Sequence, residues 1–315
     1  MDASTTLRDA FFDRLYDRAR EDHDIVLVVA DMAAPSLDKF RRDLPDQFVN
    51  VGIAEQNAIL IASGLALGGK KVFVYAISPF ITLRCLEQIR VNNAIMGIPI
   101  NIVGMGTGYS YCNDGPTHHL IEDISIMRSL PRVHIYNPIG PGQAAQMVDL
   151  FLDSRETNYI RLDKDIYPEV AYPIPGGNDP GMAQVREGGG FCILSTGPIL
   201  HKILPLLEKY SSLDIALVDL YKFPINEQAL IPLIQGKKRL ITVEEHFLPG
   251  GMGSAVAEIL ADNQLFIPLK RMGIPLGQEY KASYQYGGRE RIQRFNGIDG
   301  PSIEKNINSF FAEAL

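Results

Sequence analysis

Cysteine is scarce in this chain of 315 residues: Cys85, Cys112 and Cys192 stand 27 and 80 positions apart. That spacing offers no zinc knuckle, no CxxC redox pair and no disulfide framework, which leads to the expectation of an intracellular, cytoplasmic protein. Long apolar runs are missing too. No stretch approaches the roughly 18 apolar residues of a membrane-crossing helix, and the opening MDASTTLRDAFFDRLYDRAR mixes acids with bases and has no apolar stretch before a small-residue cleavage site, so it does not read as a secretory signal. Positive charge is not in excess: 37 Asp plus Glu against 30 Lys plus Arg leaves a net charge of −7. The bases are scattered, which argues against nucleic acid or an anionic membrane as the main partner. Nucleotide fingerprints are incomplete. No GxxxxGK[ST] loop occurs, and GMGTG (104–108) and PGGMGSA (249–255) lack the full GxGxxG spacing and its downstream acid, so they read as tight turns at helix starts.

What is present is a globular composition, 46% hydrophobic, and a length that suggests two domains at roughly 150 residues each. Continuous apolar runs IVLVVA (25–30), KVFVYAI (71–77), INIVGM (100–105) and VHIYNP (133–138) alternate with helical stretches near 54–67, 84–95 and 142–153. Runs apolar at every position suit strands covered on both faces by helices, the mark of a parallel α/β domain. A punctuated stretch, YPIPGGNDPGMAQVREGGG (173–190), reads as a connector. A second α/β set follows, with strands in FCILSTG (191–197), DIALVDL (214–220) and RLITVEE (239–245) and helices near 199–210, 226–235 and 252–262. The expected division is a first domain over 1–175, a linker over 176–190 and a smaller domain over 191–315.

The sharper signals are carboxylates and imidazoles at strand ends, where ligands of open parallel sheets sit. Asp31 follows IVLVVA; Asp114, His118 and His119 lie in NDGPTHH; Glu244, Glu245 and His246 close a strand of the second domain. Glu55, in VGIAEQNA, falls in the first turn of a helix. Two readings of Glu55 stay open: it answers the helix dipole, or its apolar surroundings make it a proton-sharing group facing a nitrogen heterocycle.

Taken together, VGIAEQNAILIASGLALGGKKVFVYAISPF, DGPTHH, and LVDLYKFPINEQAL with LITVEEHFLPGGMGSAVAEIL resemble the C-terminal part of the transketolase family, which includes the deoxyxylulose-phosphate synthases. These are thiamine diphosphate enzymes with a diphosphate-binding, a pyrimidine-binding and a C-terminal domain. The resemblance implies that only the last two are present here. The family holds the diphosphate and its Mg2+ through a GDG motif with downstream asparagines. The DG pairs of this chain, Asp114-Gly115 and Asp299-Gly300, open no such motif. A hard cation needs oxygen ligands, so no metal ligand is expected on this chain, and the Mg2+ ligands are expected on a partner.

The resemblance also implies roles. Glu55 corresponds to the glutamate that hydrogen-bonds the aminopyrimidine and promotes its imino tautomer; Phe80 matches the stacking aromatic, with a plain core Phe as the other reading. Ile53 and Leu83 add apolar wall, and Asp31 corresponds to an acid near the cofactor and dimer contact, unless it only caps a helix. Asp114 and His118 correspond to residues that address sugar hydroxyls, with His118 moving a proton. His119 either shares that work or only packs. Departures bear on the substrate: Gly106 stands at a phosphate-binding histidine position and Asp163 at an arginine position, where a carboxylate would repel a dianion. Arg161, Lys164 and the N-terminal Arg8 are the cations left to compensate, and a substrate with an altered or missing terminal phosphate is the expectation. Glu244, Glu245, His246 and Gly250 to Gly253 read as structural and subunit-contact features.

The function so implied is two-carbon ketol transfer from a ketose donor to an aldose acceptor, by two of these chains with two copies of a separate diphosphate-binding subunit, an α2β2 heterotetramer. Alternatives are a deoxyxylulose-phosphate synthase-like enzyme, the β subunit of a 2-oxoacid dehydrogenase, and a non-catalytic scaffold.

Overall fold

The computed structural model describes residues 5–170, 179–209, 214–277 and 287–312. In chain order the first part runs α1 (Leu7–Glu21), β1 (Ile25–Val29), α2 (Pro35–Asp43), β2 (Phe48–Asn50), α3 (Glu55–Leu67), β3 (Lys71–Ile77), α4 (Ser78–Ile81), α5 (Leu86–Gln88), β4 (Asn101–Met105), α6 (Asp123–Met127), β5 (Val133–Tyr136), α7 (Pro141–Leu152) and β6 (Thr157–Leu162). Every residue of β1 is buried, and the period of two explains why. Val26 and Val28 point into one cluster with Ala58, Ile59 and Ala62 of α3. Ile25, Leu27 and Val29 point into another with Phe11 and Phe12 of α1, Phe40 of α2 and Val148 of α7. A strand covered on both faces has no room for a polar residue until its end. The strands from β1 to β6 pair in parallel in the order β5-β6-β4-β3-β1-β2, so their C-terminal ends share one edge.

Two local expectations change. The helix read over 84–95 is a short α5 followed by a π-helical stretch, Ile89–Ile95. Asparagine side chains compete there with the backbone: Asn92 Nδ2 donates to Gln88 O at 3.0 Å and Asn93 Nδ2 to Ile98 O at 2.9 Å. The connector expected over 176–190 is not all linker. Residues 176–178 lie outside the described residues, but β7 (Ala183–Arg186) is an antiparallel edge strand on the second sheet. An edge strand that is only half-buried carries polar residues freely, so its periodicity is weak.

The second part continues with β8 (Phe191–Ser195), α8 (Leu200–Lys209), β9 (Ile215–Asp219), β10 (Lys222–Phe223), α9 (Glu227–Ile234), β11 (Arg239–Phe247), α10 (Met252–Asp262) and β12 (Leu269–Ile274), then helices Arg289–Phe295 and Gly300–Ala312. Its sheet has the order β12-β11-β8-β9-β7. The two domains are knit together. β10 leaves the second to pair antiparallel with β5 of the first, and Phe247 N donates to Ile121 O at 2.7 Å. No helix among the described residues is long and apolar enough to cross a membrane.

Arg289 is the strongest tie across the seam. Its guanidinium donates to Asp163 at 2.7 and 3.0 Å, to Asp165 at 2.8 Å and to the Tyr167 hydroxyl at 2.9 Å, and it also binds Glu245 of the second domain. Asp163 is fully buried, so removing the cation strands a charge. Arg289→Ala should therefore lower stability by about 3–5 kcal/mol, seen as a drop in the urea midpoint. Arg128→Ala, which breaks the outer ion pair to Glu258, should cost about 1 kcal/mol or less.

Candidate active site

Residues from the C-terminal strand ends converge as the parallel sheet requires. After β2 the chain turns through Gly52, with φ of +73°, and α3 begins at Glu55, which is 4% exposed. Its carboxylate Oε2 accepts from Arg84 Nη1 at 2.7 Å. After β3, α4 presents Phe80, and the Arg84 guanidinium carbon lies 4.3 Å from the centre of that ring. After β4 come Gly106, Tyr111, Asp114 and His118. The His118 ring stands edge-on to Phe80 at 5.2 Å and to Tyr111 at 6.0 Å, and its Nδ1 pairs with Thr117 Oγ1 at 3.0 Å. After β6, Lys164 Nζ lies 4.8 Å from the Tyr111 ring centre. Glu55, Arg84, Phe80, His118, Tyr111 and Lys164 thus form one contiguous line of contacts.

Arg8 joins its far end: its charge acts on Tyr111, and its guanidinium is held by Asp9 at 3.0 Å. Burial pushes the Tyr111 hydroxyl up and keeps it a donor. Gly106 explains itself here. Its φ is +88°, and a Cβ on it would stand 1.9 Å from Tyr111 Cε2, so the Tyr111 ring fills the space that a side chain at 106 would need.

Other expected residues are placed differently. Arg161 does not face the site: it is buried, its Nε and Nη2 donating to Asp123 at 2.7 and 3.1 Å, with Tyr159 OH on the same carboxylate at 2.8 Å. As an interior position of β6 it points into the seam, where a charge must be paired. Asp163 is not a free repelling charge. Burial alone raises its carboxyl, yet Arg289 holds it below the ordinary range. His119 is buried against Tyr109 at 5.1 Å, burial pushes its imidazole down, and it packs behind His118. Asp114 is exposed at the turn. Asp31 caps no helix, since Ala34 precedes α2; it adopts φ of +49° and exchanges hydrogen bonds with Asn50. Ile53 is 81% exposed and Leu83 half-buried, so the apolar wall expected around Glu55 is open on the Ile53 side.

Sequence reasoning missed Arg84 and Tyr111. Arg84 follows Phe80 by four residues, a spacing that sets a cation over a ring when the chain coils, and this was the available signal. Cys85 beside it is no nucleophile, because burial pushes its thiol up to about 12.

The second-domain carboxylates are structural. Glu244 accepts from the N–H groups of Met252 and Gly253 at 2.7 and 2.8 Å, answering the orphan donors of α10. His246 Nδ1 donates to Phe247 O at 2.8 Å and Nε2 accepts from Ile124 N at 3.1 Å. That tautomer requires a neutral ring, and burial lowers its pKa to about 4. Among the described residues no three His, Cys, Asp or Glu side chains gather where they could hold a metal.

A buried carboxylate, a flat aromatic and an imidazole along the C-terminal edge of a parallel sheet, with a smaller α/β domain behind, define the pyrimidine-binding half of a thiamine diphosphate enzyme. Comparison with known proteins agrees. Residues 3–169 match the family model "Transketolase, pyrimidine binding domain" and 181–287 match "Transketolase, C-terminal domain". One of the two subunits of the apulose-4-phosphate transketolase of Actinobacillus succinogenes is 33% identical, over 94% of this chain and 96% of that protein. The 6-deoxy-6-sulfo-D-fructose transketolase subunit SqwH of a Clostridium species is 33% identical over 85% and 84%. A split gene transketolase solved as an inactive beta4 tetramer has a TM-score of 0.86 at 25% identity, covering 98% of this chain and 99% of that one. The chain belongs to the transketolase family, as the subunit with the pyrimidine-binding and C-terminal domains of a transketolase divided between chains.

The packing of Gly106 against Tyr111 is open to test. Gly106→Ala should destabilise by about 1–3 kcal/mol through clash and positive φ, and adding Tyr111→Ala should recover only the clash, so a double-mutant cycle by denaturant unfolding will show coupling between the two sites.

Proposed function

We propose that Glu55, Phe80 and His118 are the working groups of this subunit in two-carbon transfer from a ketose to an aldose. The observation that carries the reading is the Glu55 carboxylate, buried at the first turn of α3 and already accepting from a flat N–H donor that lies on Phe80. A carboxylate and a ring that already accommodate a planar guanidinium suit the planar N–H edge of an aminopyrimidine, and so the residues fit the cofactor. Thiamine diphosphate, when bound, supplies the carbon centre that carries the two-carbon unit.

This chain's residues do the rest. Glu55 accepts an N–H from the pyrimidine and holds the proton at that ring nitrogen, its burial strengthening the bond by excluding water. Phe80 presents a face for stacking. His118, held by Thr117, lies next along the line and moves a proton to or from a sugar oxygen, while exposed Asp114 accepts from a hydroxyl. Tyr111, Lys164 and Arg8 read the far end of the sugar. With Asp163 neutralised by Arg289, that end is basic enough for an anionic terminus, in keeping with the sugars named for the relatives, apulose 4-phosphate and 6-deoxy-6-sulfo-D-fructose. Asp31 stays near the cofactor side as the acid that clips the ends of β1 and β2 together.

The diphosphate and Mg2+ fall to the separate subunit, in an α2β2 assembly. Support comes from the apolar side chains left exposed around α3: Ile53 at 81%, Leu60 at 49% and Leu67 at 69%. They lie seven residues apart and bring one stripe to the surface beside Glu55.

With its partner, thiamine diphosphate and Mg2+, Glu55→Gln should lose at least about a hundredfold in turnover while still assembling, as judged by size-exclusion mass. A mere scaffold would keep full activity in that variant. Lys164→Ala should raise KM for an anionic ketose by roughly tenfold and leave a neutral ketose unchanged; equal effects on both would remove Lys164 from the terminal-group site.

A further inference from the structure

Resting on the pyrimidine site just described, we infer that Arg84 is a built-in occupant of that site, and that cofactor binding exchanges it for the aminopyrimidine. The guanidinium makes the two contacts that the ring needs. Nη1 donates to Glu55 Oε2 at 2.7 Å, and the planar group lies 4.3 Å from the centre of Phe80. Guanidinium is flat, delocalised and weakly hydrated, which lets it stack on an aromatic face as a heterocycle does. One face of Phe80 and one carboxylate oxygen cannot serve two planar donors at once.

The burial pattern shows which partner can leave. The Glu55 side chain is 5% exposed, while that of Arg84 is 45% exposed. The carboxylate belongs to the interior, and the cation arrives from the solvent side. Among the described residues Glu55 is the one carboxylate paired with Arg84. The Arg84 backbone is held independently, its carbonyl oxygen accepting from Gln56 Nε2 at 3.1 Å. The side chain can therefore swing out with the loop left in place. Before exchange Arg84 relieves the cost of a buried, unpaired carboxylate, which lets the subunit fold without cofactor.

The test is a calorimetric titration of thiamine diphosphate, in the presence of Mg2+, into the complex of this chain with its diphosphate-binding partner. Arg84→Ala should bind the cofactor about fivefold more tightly than the unaltered complex. Arg84→Lys, which keeps the charge but not the plane, should fall between. The ratio between unaltered and Arg84→Ala complexes should shrink in high salt, because an exposed cation is screened. Unchanged or weaker binding by Arg84→Ala would overturn the exchange and make Arg84 a positioning residue that stays beside Glu55. Glu55→Gln, assayed for turnover in the same complex, separates the two failures. If it is inactive while Arg84→Ala binds no tighter, only the exchange falls; if it turns over normally, the site reading itself is lost.

Discussion

A charge taken out of water must be met by another charge or by several hydrogen bonds, and this requirement organises the molecule. It is satisfied four times in different ways. Asp123 and Arg161 pair beneath the first sheet; Arg289 gathers Asp163, Asp165 and Glu245 across the domain seam; Glu244 sits on the N-terminus of α10. The fourth, Glu55 with Arg84, differs because its cation is largely exposed. The first three are closed and hold the domains together. The open one is where a ligand can take part.

Parallel topology brings that open pair to the right place. Because both faces of the first sheet are covered, polar groups gather past the C-terminal strand ends, and β2, β3, β4 and β6 deliver Glu55, Phe80, His118 and Lys164 to one edge. Chemistry and specificity then lie along a line. The proton-sharing carboxylate is at one end and the basic side chains at the other, with His118 between them. Tyr111 is the local adaptation, a ring packed where Gly106 has withdrawn its side chain.

The second domain contributes no side chain to this line of contacts. Its role in the chain is to lock the first domain, by adding β10 to the first sheet and by closing the seam through Arg289 and His246. A stripe of exposed leucines and isoleucine beside Glu55 leaves the active edge unfinished in the single chain, consistent with a family member whose domains are divided between subunits.

Strands, covering helices and the position of Glu55 were legible in the sequence, because a fully buried strand must be apolar at successive positions and a helix start is a local event. The motif residues Phe80, Asp114 and His118 were legible as well. Arg161 and Asp163 were misread, since identity and spacing reveal that a residue is charged but not which charge meets it; their partners are 38 positions before and 126 after, respectively. β7 was hidden by its polar, half-buried edge. The sequence by itself determined the order of elements, the family and the carboxylate at the head of α3. Only the tertiary structure decided which cations are spent on holding the domains together and that Arg84 rests on Glu55 and Phe80, because pairing of buried charge depends on distances between segments remote along the chain.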